Sequence, residues 1–327
     1  MKKPLVSIII PVIKINDYIM ESVPKNLELD WPDFEIIIFA DEADESHHFP
    51  KTRIIASGKV GPAEKRDLAL KYAKGEYLAF LDDDAYPQKN WLKKAMIHFE
   101  TDDKLAAVGG PAVTPESDGV LQKVSGAVFE SYLGGASARN RYLSVGPKME
   151  VDDWPTVNLI VRRDVFEKIG GFDNSFWPGE DTKLCLDIIN AGYKIIYEPD
   201  AIVFHHRRSD MLKHFKQVGN YALHRGYFAK IYPKTSRKLF YFVPSLFDLY
   251  LIVLITLSFV HNPGLIGQFI AFPIIGYFLF LIVDGIIISW RWQNSIVGFL
   301  SIILIFLTHL WYGIRFVQGL IVPKLLR

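Results

Sequence analysis

The chain of 327 residues is poor in features that tie a protein to one particular chemistry. It has a single cysteine, Cys185, so an intrachain disulfide and a multi-cysteine metal site are both excluded. Cys185 stands among Leu184, Leu186 and Ile188 in a helical pattern, which predicts a small buried residue rather than a reactive thiol. An excess of either charge is also missing. Lys and Arg number 37 against 36 Asp and Glu, a formal net charge of +1, so no basic field argues for nucleic acid as a partner. Neither GxGxxG nor GxxxxGK(S/T) occurs, which disfavours a dinucleotide cofactor and a P-loop. In "MKKPLVSIIIPV" two lysines precede an apolar run, but Pro11 cuts it short of a signal-peptide core, and no cleavage is expected.

Apolar residues, by contrast, make up 50% of the chain and aromatic ones 14%, and they are unevenly spread. Composition changes near residue 239. Beyond it stand "LFYFVPSLFDLYLIVLITLSFV", "LIGQFIAFPIIGYFLFLIV" and "SIVGFLSIILIFLTHLWYGI", each close to the ~20 residues that cross ~30 Å of hydrocarbon. Tyr and Trp gather toward their ends, as in interfacial belts. Residues 236–327 are therefore expected to form a bundle of about three transmembrane helices, anchoring a catalytic domain of residues 1–235. Asp284, near the end of the second segment, is expected at the interface, and Asp248, inside the first, against a partner or polar cavity. Lys230, Lys234, Arg237 and Lys238 precede the first segment. By the positive-inside tendency they place the soluble part in the cytoplasm of a multi-pass cell-membrane protein. Three crossings put the C-terminus outside, which Lys324 and Arg327 weakly oppose.

The soluble part reads as α/β. "LVSIIIPV", "FEIIIFA", "TRIIAS" and "EYLAFL" are short apolar, β-branched runs, as strands covered on both faces should be. Between the third and fourth, "GPAEKRDLALKYAKG" has Pro62 in a first-turn position and Gly75 as a stop. Strands alternating with helices predict a mostly parallel sheet flanked by helices, with ligands outside the carboxyl ends of the strands. Asp41 follows the second run there, and Asp82, Asp83 and Asp84 follow the fourth in "YLAFLDDDAYP". Three adjacent carboxylates repel one another unless a cation lies among them. Oxygen donors of this kind suit a hard divalent ion, Mn²⁺ or Mg²⁺, while a solvated acidic turn before a helix is the plainer alternative. A second acidic pair, Glu180 and Asp181, opens an amphipathic segment after Trp177, Pro178 and Gly179, where Asp181 could serve simply as a helix cap.

Taken in order, "VSIIIPV", "EIIIFADEADES", "GPAEKRDLAL", "GEYLAFLDDDAYPQKNWL" and "NLIVRRDVFEKIGGFDNSFWPGEDTKLCLDIINAGYKIIYEPDAIVFHH" make residues 5–230 resemble a family 2 inverting glycosyltransferase with the GT-A fold. The resemblance implies a nucleotide-sugar donor held by Pro11, Asp41, Arg66, Asp82, Asp83 and Asp84. Asp41 would contact the base, Arg66 would help hold the nucleotide, and Asp82 and Asp84 would be the outer residues of the DXD motif. It further implies a divalent metal, Mn²⁺ or Mg²⁺, at Asp84 with His206 or its neighbour His205 close by. Asp181 would be the catalytic base, with Glu180 and Asp153 next in line. Ala40 and the loop "VIKIND" depart from the family pattern and leave base and sugar preference open. The expected activity is sugar transfer from a nucleotide-sugar to a lipid-linked or cell-surface glycan acceptor, in cell-envelope polysaccharide biosynthesis. A polyprenyl-phosphate glycosyltransferase is the alternative, and an inactive membrane assembly protein a further one. A nucleotidyltransferase would carry a glycine-rich basic loop where "VIKINDYIMES" stands. Three apolar segments are few for a polymer channel, which disfavours a processive synthase.

Overall fold

The four apolar runs form strands β1 (Val6–Pro11), β2 (Phe34–Ala40), β3 (Thr52–Ala56) and β4 (Tyr77–Phe80) in a computed structural model that describes residues 3–259 and 264–325. They pair in parallel in the order β3-β2-β1-β4. Every residue of β1 is buried because its alternate side chains enter two different cores. Ile8 and Ile10 pack with Ile19 and Val23 of helix α1 (Asp17–Leu27), while Ile9 packs with Ala63 and Ala69 on the opposite face. Those alanines belong to α2 (Pro62–Asp67) and α3 (Ala69–Tyr72), into which the single expected helix divides at Leu68. Pro62 takes the first-turn position, as anticipated.

Beyond β4 the chain forms β5 (Ala85–Pro87), α4 (Trp91–Phe99), β6 (Leu105–Gly109) and β7 (Ala112–Val113). After α5 (Val120–Glu130) come β8 (Met149–Val151), β9 (Leu159–Arg162), α6 (Arg163–Ile169), α7 (Glu180–Asn190), β10 (Lys194–Tyr197) and β11 (Val203–His205). The main sheet runs β3-β2-β1-β4-β9-β6-β10-β8, with β9 antiparallel to both its neighbours. A small second sheet, β5-β11-β7, lies beyond the end of β4 in sequence and holds the ends of the site segments. Cys185 is fully buried in α7, its sulfur taking the Trp154 N–H at 3.3 Å.

The chain divides into two compact units. One contains both sheets, from residues up to Pro115 and Asn140–His206; the other contains Glu116–Arg139 and the chain from Arg207 onward. The second unit is helical: α5, α8 (Met211–Ile231), α9 (Pro233–Ser236), α10 (Leu239–Ser258), α11 (Gly264–Arg291) and α12 (Ser295–Ile321). The last three contain stretches long and apolar enough to cross a membrane, Leu239–Ser258, Phe269–Arg291 and Ser295–Ile321, with mean hydropathies of 2.0, 2.3 and 2.0. Asp284 of α11 is buried, and its two oxygens accept the backbone N–H groups of Tyr132 at 3.1 Å and Leu133 at 2.8 Å. Asp248 of α10 differs from expectation. Neither of its oxygens has a hydrogen-bond partner among the described residues. Its carboxylate instead fills the space at Gly313, where a Cβ would come within 2.0 Å.

Candidate active site

The site begins where β4 runs out. Leu81 is still buried, and the next three residues are Asp82, Asp83 and Asp84. The chain then turns back into β5, which pairs antiparallel with β11 so that Ala85 stands opposite His205. That register brings His205 Nε2 to 3.0 Å from Asp84 Oδ1. Asp82, Asp84 and His205 each offer a ligand atom, all within 4.8 Å of one another. His206, the next residue, turns elsewhere, as successive residues leaving a strand do. Its Nε2 lies 2.9 Å from Glu21 Oε2 on α1, and its ring 5.0 Å from that of Tyr18. Of the two histidines left open by the sequence, the structure brings His205 to the DXD carboxylates and His206 to α1.

Asp83 is held from the loop after β1. Asn16 caps α1 by accepting the Ile19 N–H at 2.9 Å, and its amide donates to Asp83 Oδ2 at 2.8 Å. Burial, and then the charge on Asp84, push the Asp83 carboxyl up to about 6. The unusual "VIKIND" loop thus reaches the acidic cluster through Asn16. From the sequence the loop was legible only as a departure from the family pattern.

Two adjacent cations on α2 serve different acids. Arg66, 4% exposed, places Nη2 at 2.6 Å from Asp82 Oδ1 and Nη1 at 3.5 Å from Glu180 Oε1. It links the DXD turn to the second acidic pair. Lys65, also buried, extends the other way to the Asp41 carboxylate and the Val12 carbonyl. Pro11 is the buried last residue of β1, one position before that carbonyl. Lys65 escaped the sequence reading because its neighbour carried the family pattern. The available signal was a lysine one helical step from an arginine, at the carboxyl edge of the sheet.

The acceptor-side acids lie in the first turn of α7. Gly179 occupies the cap position with φ of +119°, so the capping role is not Asp181's. Asp181 Oδ1 accepts the N–H of Thr182 at 2.8 Å. Burial, and then the charge of Asp181, push the Glu180 carboxyl up, with Arg66 pulling the other way. Asp153 is buried, accepts from Thr182 Oγ1 at 3.1 Å and pairs with Arg141 at 3.2 Å. It braces the start of α7. The preceding loop is tied down by Asp67, whose oxygens accept the Phe172 N–H at 2.9 Å and the Asn174 amide at 3.2 Å. Gly171 permits that contact with φ of +77°, since a Cβ there would lie 2.4 Å from Asp67 Oδ1. Burial pushes the Asp67 carboxyl up to about 6. Trp177 stands out from this loop, 62% exposed.

Comparison with known proteins decides what this arrangement belongs to. The profile of Glycosyl transferase family 2 matches residues 7–170, half of the chain and all of its DXD segment. The chain belongs to glycosyl transferase family 2. A pre-mycofactocin glycosyltransferase of Mycobacterium tuberculosis is 30% identical over 151 residues, 46% of this chain and 31% of its own length. The chain therefore spans about a third of that relative. A glycosyltransferase of Methanococcus voltae that transfers a diacetamido-dideoxyglucuronosyl unit to dolichyl N-acetylglucosaminyl phosphate is 24% identical over 242 residues, 68% of this chain and 73% of that protein. Among solved structures, a mannosyltransferase from Pyrobaculum calidifontis, determined with GDP-mannose and Mn²⁺, superposes with a TM-score of 0.58 at 17% identity. The match covers 95% of this chain and 88% of that one. This family 2 chain thus has the GT-A fold, with a mostly parallel central sheet and three apolar helices after it.

Proposed function

We propose that this family 2 enzyme is a membrane-bound inverting glycosyltransferase that moves a sugar from a nucleotide-sugar to a lipid-linked acceptor. The observation that carries the proposal is the convergence of Asp82, Asp84 and His205 within 4.8 Å at the carboxyl edge of the sheet, joined through Arg66 to the acidic start of α7. Two carboxylates and an imidazole make a donor set that fits a divalent ion, Mn²⁺ or Mg²⁺. Such an ion would offset the mutual repulsion of the carboxylates and would supply positive charge to a departing diphosphate.

The chain's own residues do the rest. Asp41, fixed by Lys65, lies at the end of β2, where the nucleotide base would be read. Arg66 is a permanent cation that sets Asp82 and Glu180 at a constant spacing. Asp181 takes the proton from the acceptor hydroxyl as that oxygen bonds to the anomeric carbon, and a single displacement inverts the centre. A hydroxyl acceptor needs such a base, whereas an ionised phosphate acceptor does not. The Asp181 carboxylate in the first turn of α7 therefore favours a sugar already linked to lipid over a bare polyprenyl phosphate. Relatives that act on dolichyl-linked sugars point the same way. The catalytic domain is placed in the cytoplasm, where nucleotide-sugars are made, consistent with the basic residues before α10.

The experiment is a panel of nucleotide-sugars with the membrane-purified enzyme, Mn²⁺ or Mg²⁺ and a lipid extract as acceptor source. One donor should release its nucleoside diphosphate in a metal-dependent manner and label the lipid fraction in the inverted anomeric form. Label in the lipid with retained configuration would refute the inverting mechanism.

A further inference from the structure

Within the helical unit, α8 carries Lys213, Lys216, Arg225 and Lys230, and α12 carries Arg315, yet neither helix has an acidic residue. Three of these cations find partners inside the unit. Lys213 pairs with Asp210, just before α8, at 3.2 Å. The Arg225 guanidinium lies 4.9 Å from the centre of the Tyr241 ring, and Lys230 Nζ donates to the Val322 carbonyl. Lys216 and Arg315 are different. Among the described residues neither has a carboxylate partner, and both open into one groove between α8 and α12.

Close packing builds the groove. At Gly219 of α8 a Cβ would lie 2.4 Å from Trp311 Nε1. The missing side chain lets the indole rest against α8 and donate to the Phe215 carbonyl at 2.8 Å. One turn further along α12, Arg315 Nε donates to the Gly219 carbonyl at 3.3 Å, and Nη1 donates to Gln318 Oε1 at 2.5 Å. The guanidinium is thereby fixed with Nη2 still to be used. A cavity of about 350 Å³ remains, lined by Leu212, Phe215, Lys216 and Asn220 from α8 and by Trp311 and Arg315 from α12. That volume lies in the range of small-ligand sites. The depth of the groove on α12 points to the ligand. α12 has 27 residues, about 40 Å at 1.5 Å per residue, against a hydrocarbon core of ~30 Å. Arg315 stands six residues before its last, Ile321, or ~9 Å from the end. A crossing α12 therefore holds Arg315 close to the boundary between hydrocarbon and head groups. A cation at that depth is costly unless it reaches a polar partner, and the anionic groups there are lipid phosphates. An indole belongs to the same layer. Arg meets phosphate oxygens as a planar fork and Lys as a point charge.

We propose that the α8–α12 groove binds one anionic phospholipid, its head-group phosphate held between Lys216 and Arg315 and its acyl chains lying along Leu212 and Ile314. Two cations with no acid beside them are complementary to a phosphate and not to a zwitterionic head group, whose own ammonium they repel. The occupant is a lipid of the surrounding bilayer because the groove adjoins side chains turned outward: Leu212 is 82% exposed and Ile314 56%. Every residue of the site belongs to the helical unit. The inference rests on the membrane attachment proposed above and not on the transfer reaction, so either can fail alone.

Native mass spectrometry of the protein in mild detergent tests this, with phosphatidylglycerol and phosphatidylcholine titrated separately. One phosphatidylglycerol should be retained at least tenfold more tightly than phosphatidylcholine. Lys216→Gln should weaken its retention about fivefold, the effect of one cation near a lipid phosphate. Combining it with Arg315→Gln should weaken retention at least tenfold. Lys123→Gln, on α5 and outside the groove, should leave retention unchanged. Lys216 is exposed, so Lys216→Gln should keep the wild-type melting temperature, measured alongside. Equal retention of the two lipids by the wild-type protein overturns the proposal, whatever the variants do. So does unchanged retention in the combined variant. Displacement of phosphatidylglycerol by an equal concentration of inorganic phosphate or of polyprenyl phosphate also overturns it, since the groove would then serve another ligand.

Discussion

Arg66 is the side chain on which both acidic segments depend, because it is buried and contacts Asp82 and Glu180 at once. Arg66→Met is expected to lower stability by about 3 kcal/mol or more, the usual cost of leaving buried charge without its partner, and to abolish transfer. A near-normal melting temperature would show that the pair is not held as described. Asp181→Asn separates chemistry from capping. With Gly179 in the cap position, the substitution should leave the melting temperature close to wild type while turnover falls at least ~10²-fold, with donor affinity retained. Asp67 gives a pH signature. Its carboxyl is raised to about 6 from 3.8, so the folded state favours the protonated form, and the stability this brings fades as pH rises through 6. Asp67→Asn, which cannot ionise, should gain melting temperature relative to wild type between pH 4 and 6 and hold a constant advantage above. A difference that does not vary over that window would rule out the raised carboxyl. At this scale the acids were legible, since carboxylates at strand ends stand out in any α/β sequence. The choice between His205 and His206 was not legible, because it follows from the β5–β11 register. Lys65 was missed because only the fold shows which way α2 turns its two cations.

Elements were easier to read where one residue type sets the local geometry. Pro62 opens α2 as its fixed φ requires, and the four apolar runs became β1 to β4. The helix break at Leu68 and the antiparallel insertion of β9 were illegible, because both depend on what packs across the sheet. The same holds for α5. That segment was not singled out in the sequence, and its apolar face meets α11 and α12. The loop after it is tied to α11 by Asp284 through two backbone N–H groups. Asp284→Ala removes the acceptor of both part-buried hydrogen bonds, and a loss of about 1–3 kcal/mol per bond to the carboxylate is expected in detergent. Asp284→Asn, which keeps one acceptor oxygen, should lose less. Equal effects from the two substitutions would mean that the hydrogen bonds contribute nothing specific.

For the whole molecule, sequence composition marked residue 239 as the change from soluble to apolar. The contact pattern also draws Glu116–Arg139 and α8 into the helical unit. Composition reads segments one by one, while unit membership depends on partners distant in sequence. The sheet unit carries every residue proposed for donor and acceptor chemistry, and its central claim is that Asp82, Asp84 and His205 hold a metal-bound diphosphate. The direct measurement is the melting temperature of the protein with a panel of nucleoside diphosphates, with and without Mn²⁺. At least one diphosphate should raise it only when Mn²⁺ is present, by ligand binding to the folded state. The rise should persist in Asp181→Asn and vanish in Asp84→Asn. A rise that survives chelation, or one that Asp84→Asn preserves, would contradict the account.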